Sequence, residues 1–241
     1  MLHNTRGIVI HTLKFSETSI IAKIYTELFG LQSYLIKGIR SSRSKLKPAL
    51  FQPLTILDLS VYHKERASLQ SIKDAQIGYP YQTLPFEIAK SSLALFMDEL
   101  IYKTIREEES HPELFHFLRD ACMVLDAMEA DFQHFHLHFC IRLTRYLGFM
   151  PHDNYSATDR YFDMREGNFT SAIPDHVHFL NEAESRLFHQ LISAEEDDWG
   201  NLPFTKKGRD VILEKILQYY QLHVAGFSGV QSHHILHTVL S

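Results

Sequence analysis

Five cations fall within eleven residues: Lys37, Arg40, Arg43, Lys45 and Lys47, interleaved with Gly38, Ser41, Ser42 and Ser44. Residues 28–57 contain no acid to offset them. Lys and Arg at that density neutralise phosphates and release counterions, and serine hydroxyls can donate to phosphate oxygens. The chemistry this points to is the binding of a polyanion, and the usual polyanion is nucleic acid. The plain alternative is a solvated loop on a slightly basic domain. The charge asymmetry extends along the whole chain. Residues 1–80 hold eleven Lys and Arg against five Asp and Glu, a net of +6, whereas residues 81–241 hold thirteen against 24, a net of −11.

Bond-breaking chemistry finds little support. There is no G-x-x-x-x-G-K-[ST] loop, no G-x-S-x-G elbow and no paired-carboxylate motif. Among the sixteen histidines, His134/His138 and His233/His237 have the i, i+4 spacing that can chelate zinc from one helix face. Neither pair has the acid or cysteine of an HExxH-like pattern, so surface or satisfied histidines are expected. Cys140 near His136 lacks an orienting acid and reads as a buried helix cysteine. With Cys122 as the only other cysteine, there is no disulfide framework and no CxxC metal pair, as in a reduced cytoplasmic protein. No catalytic residue, cofactor or metal is assigned. No run of about 18 apolar residues marks a membrane span, and residues 1–6 lack the apolar stretch of a signal peptide.

The basic run must be held by the segments around it. Apolar and polar residues alternate or β-branched residues cluster at 7–13, 19–26, 31–36, 54–62 and 67–72. The first three are joined by short connections, as in an antiparallel meander; only the third-to-fourth link is long, and it is the basic one. Five short strands in so few residues fit a closed barrel that leaves no exposed edge. The long link favours a five-stranded OB barrel carrying a helical turn there over an SH3-like barrel. After residue 80 the period becomes helical: a helix over 86–105, one opening at Pro112 and running to Met128, and a third capped by Asp131 with Phe132, Phe135, Phe139, Leu143 and Tyr146 on one face. Gly148 and Pro151 stop it. Residues 152–178 read as an irregular excursion or small hairpin. Asn181 with Glu184 forms a capping box, Thr205 caps a last long helix, and a short helix follows Ser232. The expected organisation is α+β: an OB domain over 1–80 and an all-α domain over 81–241, interrupted by 152–178.

The order of these features resembles the bacterial RecO family of recombination mediators. The resemblance is carried first by Gly7-Ile8-Val9-Ile10, Phe15-Ser16-Glu17-Thr18-Ser19, Thr26-Glu27-Leu28-Phe29-Gly30, Lys37-Gly38-Ile39-Arg40-Ser41-Ser42-Arg43-Ser44 and Leu50-Phe51-Gln52-Pro53-Leu54. Two later stretches continue it, Arg142-Leu143-Thr144-Arg145-Tyr146-Leu147-Gly148-Phe149-Met150-Pro151 and Gln218-Tyr219-Tyr220-Gln221-Leu222-His223, with Ser232 beyond. One feature departs from the family. Many members carry paired cysteines after this Leu-Gly-Phe-x-Pro stretch and bind zinc there, but residues 152–178 contain no cysteine. No zinc is expected, and Tyr161, Phe162 and Phe169 are the expected anchors of that loop instead.

The resemblance implies a cytoplasmic protein that binds single- and double-stranded DNA, anneals complementary strands and, with RecR, helps RecA replace single-stranded-DNA-binding protein. It implies no enzymatic step. The DNA contacts expected are Lys37, Arg40, Arg43, Lys45 and Lys47, with Tyr34 as a stacking platform and Tyr25, Phe51 and Tyr62 as further aromatic candidates, each of which could equally fill the barrel. The acidic, aromatic-ended tail of single-stranded-DNA-binding protein needs a cationic rim and an apolar pocket. His134, His138, Arg142 and Arg145 offer one such cluster and Lys206, Lys207 and Arg209 a second. The acids at 195–198 read as a solvated loop. Two rival readings are an RNA-binding OB protein of translation or RNA processing and, more remotely, a metal-dependent hydrolase.

Overall fold

The computed structural model describes residues 1–39, 41, 45–65, 67–106, 108–195, 199 and 202–240. The N-terminal five-stranded antiparallel sheet is organised by one long strand, β1 (Leu2–Lys14). Its second half pairs with β2 (Ile20–Thr26), from Gly7↔Thr26 to Lys14↔Ile20, and its first half pairs with β4 (Ile56–Tyr62), from Leu2↔Tyr62 to Ile8↔Ile56. A register shift between Val9 and His11 bends β1 where it passes from one partner to the other, as a bulge does. Gly7 sits at that crossing. A Cβ there would lie 2.6 Å from Ile24 Cγ2 and 2.7 Å from Leu59 Cδ1, so only glycine lets the strand pass this close to both.

β3 (Gly30–Ile36) and β5 (Ser71–Ile77) complete the order β3-β2-β1-β4-β5. The ends meet through a parallel bridge: Gln70 N–H donates to Ser33 O at 2.8 Å and Leu35 N–H to Gln70 O at 3.0 Å. This is the OB-type topology. The fifth strand starts later than its sequence suggests. The Gln70 side chain donates to the carbonyls of Lys64 and Ala67 and accepts from Lys64 N–H, which ties Lys64 and Ala67 back to Gln70 ahead of the strand. The core is filled by Val9, Ala22, Ile24, Tyr34, Ile36, Ile39, Phe51, Leu57, Leu59 and Val61.

Two helices follow in sequence, α1 (Ile88–Thr104) and α2 (Pro112–Ala127). They fall into different compact units: residues 1–87 with 105–127, and 88–104 with 128–241. The barrel unit therefore takes in α2, which sequence periodicity places in a separate helical domain after residue 80. Charge-assisted contacts explain the grouping. The buried Asp126 carboxylate accepts the N–H groups of Gln82, Thr83 and Leu84 at 2.7–3.1 Å. These donors hold Asp126 below the usual carboxylate range against the opposing effect of burial. Glu27 is gripped by Arg6 at 2.7 and 2.9 Å and by His116 of α2 at 3.1 Å.

In the second unit α1 packs with α3 (Phe135–Tyr146), α5 (Lys206–His223) packs with α3 and α4 (Glu182–Ile192), and α6 (His233–Val239) packs on α1. Asp131 is not the cap of α3. It has φ 59° with no side-chain cap, and a 3-10 turn, Phe132–His134, leads into the helix. Nor is α3 two-faced: residues 135–141 are all buried, because it runs through the middle of its unit. Its end is as expected, with Phe149 N–H donating to Thr144 O at 3.0 Å and Gly148 N–H to Arg145 O at 3.4 Å, a Schellman stop. Asn181 and Glu184 form the full capping box of α4, and Thr205 caps α5.

The cysteine-free insertion folds as a small sheet, β6 (Tyr161–Asp163), β7 (Asn168–Thr170) and β8 (Phe179–Leu180), in the order β7-β6-β8. Phe162 and Phe169 are buried within it, while Tyr161 is half-buried and donates to Glu182 at 2.8 Å. Asn154 exchanges two 2.8 Å hydrogen bonds with the Phe169 backbone, and His176 meets Asp163 at 3.2 Å. The donors here do not suit zinc: among the described residues no three His, Cys, Asp or Glu side chains form a group able to hold a metal ion. Hydrogen bonds and rings staple the loop. Among the described residues no helix is long and apolar enough to cross a membrane.

Adjacent carboxylates on α1 make the pH dependence of this second unit testable. Burial pushes Asp98 up to about 8, and its Oδ1 has no hydrogen-bond partner. Burial would raise Glu99 too, but Lys103 at 2.8 Å and the Ser232 and Gln231 donors at 2.5–2.9 Å hold it at about 2. The contribution of Glu99 is present above its unfolded value of about 4.3 and lost as pH falls toward 2, whereas Asp98 removes stability as pH rises from about 4 to 8. Asp98→Asn is expected to stabilise the protein at pH 8 by about 2–4 kcal/mol and to change little near pH 3. Glu99→Gln is expected to cost about 2 kcal/mol at pH 7 and to flatten the acid limb. Denaturant unfolding across this pH range measures both.

Candidate nucleic-acid interface

The long basic connection leaves β3 at Ile36 and reaches β4 at Ile56. Its first turn is made at Gly38, whose φ of +65° is a left-handed value open to glycine at no steric cost. The chain then dives inward. Ile39 is 2% exposed and belongs to the barrel core, and its N–H donates to Thr18 O in the β1–β2 hairpin at 2.9 Å. Further on, Leu46 and Leu50 pack against the same core, and a 3-10 turn, Pro48–Phe51, inserts Phe51. Lys37, Lys45 and Lys47 occupy the exposed positions between these anchors. The connection is thus not a free loop: apolar residues point in and cations point out. Arg40 and Arg43 lie outside the described residues.

The aromatic expectations need correcting. Tyr34 has no exposed surface and sits in the barrel core, as does Phe51 at 2%, whereas Tyr25, at 1%, is buried outside that core cluster on the other face of β2. A ring with no solvent face cannot stack a base, so Tyr34 is a core residue. Tyr62 alone of the four is exposed, at the end of β4. Sequence reasoning missed a better-placed ring. Phe15 is 59% exposed at the tip of the β1–β2 hairpin, beside exposed Lys14. That hairpin is closed by Phe15 N–H and Ser16 N–H donating to Ser19 O, and it is the one joined to the basic connection through Thr18 and Ile39. The available signal was a lone phenylalanine among Ser, Glu and Thr in a two-strand turn, where no core position exists for it. On the outer face of β2, Lys23 stands opposite His11 of β1 and Ser33 of β3. Burial and the Lys23 charge both push His11 down. OB barrels bind oligonucleotides on this strand 2–3 face and its flanking loops. By contrast, the groove of about 450 Å³ across β1, β4 and β5 is lined by Glu27, Asp58 and Asp74, with Arg6 as its only cation among the described residues, which disfavours a phosphate path.

The second-unit clusters separate similarly. His138 is 1% exposed, and Arg209 at 6% directs its guanidinium to the Leu240 carbonyl. Neither is presented to a peptide, because residues 135–141 of α3 and Arg209 of α5 are buried where amphipathic spacing suggests a solvent face. Arg145, Lys206 and Lys207 are exposed. Arg142 is half-buried, donates to Glu195 O at 2.6 Å and lies 4.2 Å over the Trp199 ring. The spaced histidines are used locally: His237 meets Asp210 at 3.1 Å and His233 meets Val230 O at 2.6 Å.

An OB-type barrel with a cation-rich connection, followed by a helical unit carrying a small sheet, defines a DNA-repair protein of the recombination class, one that works by binding and not by catalysis. Family models described as the N-terminal and C-terminal parts of recombination protein O match residues 1–81 and 85–228. The chain belongs to the RecO family. It is 37% identical over 238 residues, 98% of each chain, to the DNA repair protein RecO of Bacteroides fragilis. It is 36% identical over 239 residues, again 98% of each, to that of Flavobacterium johnsoniae, and 34% identical over 239 residues, 99% of each, to that of Azobacteroides pseudotrichonymphae.

Exchanging the two rings tests the corrected interface. Tyr34→Phe is expected to leave single-strand affinity unchanged. Phe15→Ala is expected to weaken it by about 1–2 kcal/mol, the worth of one stacked base, with no change in salt dependence. Fluorescence anisotropy with labelled oligonucleotides over a salt series reads both.

Proposed function

We propose that this protein is a cytoplasmic recombination mediator that binds single- and double-stranded DNA without strong sequence preference and anneals complementary strands. With RecR it helps RecA replace single-stranded-DNA-binding protein, whose acidic tail it also engages. The observation that carries the DNA part is the architecture of the basic connection. Ile39, Leu46, Leu50 and Phe51 anchor it to the barrel, so that Lys37, Lys45 and Lys47 stand outward. Arg40 and Arg43 belong to the same stretch of sequence. Phosphate contacts of this kind give affinity without base readout, as annealing any complementary pair requires. Membership of the RecO family supports RecR, RecA and the tail as partners.

Annealing has a further electrostatic requirement. Two strands repel unless their phosphates are neutralised together, and a cation row with open solvent on one side can hold one strand while leaving its bases free for the other. The acidic groove on β1, β4 and β5 favours confinement of DNA to the opposite loops.

Replacing Arg40, Arg43 and Lys45 by Glu is expected to lower affinity for both DNA forms by at least about 100-fold near 0.1 M salt. It should also flatten the plot of log K against log salt by about 0.7–0.9 for each phosphate that is no longer neutralised. Annealing of strands coated with the cognate single-stranded-DNA-binding protein should fall in parallel. Unchanged affinity at low salt would overturn the assignment of this connection.

A further inference from the structure

The last long helix turns one face toward the segment that follows it. Glu214, Leu217, Gln218 and Gln221 of α5 stand at spacings of three and four, so they share that face. With Ser228, Gly229, Val230 and His233 they line a cavity of about 260 Å³. Leu217 and Val230, 7% and 4% exposed, are its apolar part. Glu214, Gln218, Gln221 and Ser228 are exposed. Glu214 is the one carboxylate that lines the cavity, and it makes no ion pair among the described residues. Gly229, at φ +79°, turns the chain to form the wall opposite α5.

The polar groups converge on one kind of ligand. His233 Nδ1 lies 2.6 Å from Val230 O, which can only accept, so Nδ1 carries the proton and Nε2 of the neutral ring is left to accept. Burial lowers His233 from its ordinary value, which keeps the ring neutral at pH 7. Lys103, the cation that touches the cavity wall, is already committed: its Nζ lies 2.6 Å from Gly229 O and 2.8 Å from Glu99. What remains is a carboxylate, two amide oxygens, a hydroxyl and an imidazole nitrogen, all acceptors, beside two buried aliphatic side chains. We propose that this cavity is a binding site for an arginine side chain, presented by a partner protein on a basic segment. The methylenes of an arginine suit Leu217 and Val230, and its planar guanidinium brings five donors to acceptors set on two sides. A lysine offers a compact, strongly hydrated ammonium and fits less well. Phosphates and acidic side chains are repelled by Glu214, and the net charge of −11 on residues 81–241 extends that preference to the approach. The site gives this part of the chain a contact for which DNA does not compete.

Nuclear magnetic resonance on the full-length, ¹⁵N-labelled protein tests the assignment. The probe is the blocked tripeptide acetyl-Gly-Arg-Gly-amide, with Lys and Asp in place of Arg as controls. The arginine peptide should shift the side-chain amide signals of Gln218 and Gln221 and the backbone signal of Gly229 saturably. The lysine peptide is expected to bind at least about fivefold more weakly, and the aspartate peptide should move none of these signals. Glu214→Gln, a change at an exposed residue without an ion pair, is expected to weaken the arginine peptide about tenfold or more, the loss of one charge-assisted hydrogen bond. Its other signals should stay in place, which shows that the fold is kept. Unmoved Gln218, Gln221 and Gly229 signals with the arginine peptide overturn the proposal. So does equal binding of the arginine and lysine peptides that survives Glu214→Gln, or tighter binding of the aspartate peptide.

Discussion

The barrel unit depends on reconciling a dense row of positive charge with a folded chain. Two unit charges about 10 Å apart in water repel by ~0.4 kcal/mol, and salt at physiological strength screens even that within about 8 Å. Repulsion among the cations of residues 37–47 is therefore a modest cost. Burying one Phe, Ile or Leu is worth about 1.5–3 kcal/mol, and this connection buries Ile39 and Phe51 fully and Leu46 and Leu50 in part. Apolar anchoring wins by a wide margin. The consequence is a cationic segment whose exit and return are fixed at the barrel, so DNA binding costs less ordering entropy than it would for a free tail of equal charge.

What sequence could reveal follows from what each signal depends on. The strands were legible because β1 and β2 are rich in β-branched residues and β3 alternates with a period of two. The caps at Asn181 and Thr205 were legible because a cap is a local hydrogen bond between near neighbours. β5 was displaced because Gln70 uses its side chain, not its strand propensity, to shape the turn before it. Asp131 misled for a related reason: an aspartate before an apolar run tolerates the left-handed conformation as well as it caps. α3 misled because a helix buried on all sides can still carry polar residues, and His136 and His138 were absorbed into the interior. At the site, the cations were legible by type and spacing. Which aromatic met solvent was not, since small barrels use rings inside and outside alike. Tyr34 and Phe15 differ in the direction they face, and alternation on β3 alone does not say which face is the core.

The grouping of α2 with the barrel shows the same limit from another side. Its helical period is clear, but nothing periodic says what it packs on. The deciding groups are single polar residues far apart in sequence. Asp126 gathers three backbone N–H groups from residues 82–84, and Glu27 holds both Arg6 and His116. Removing one partner of such a cluster leaves a charged group short of donors, which costs more than the pair contributes. Long-range polar matches of this kind set domain composition while leaving almost no pattern in the sequence.

The acid surplus of residues 81–241 also acquires a physical meaning. A net of −11 repels DNA from that part of the chain in general and leaves the cations there with abundant acids of their own to attract. Lys103, Arg160 and Lys215 illustrate the outcome: they pair with Glu99, Glu182 and Glu184. Any outside acidic ligand must compete with neighbours of the same sign for the same cation.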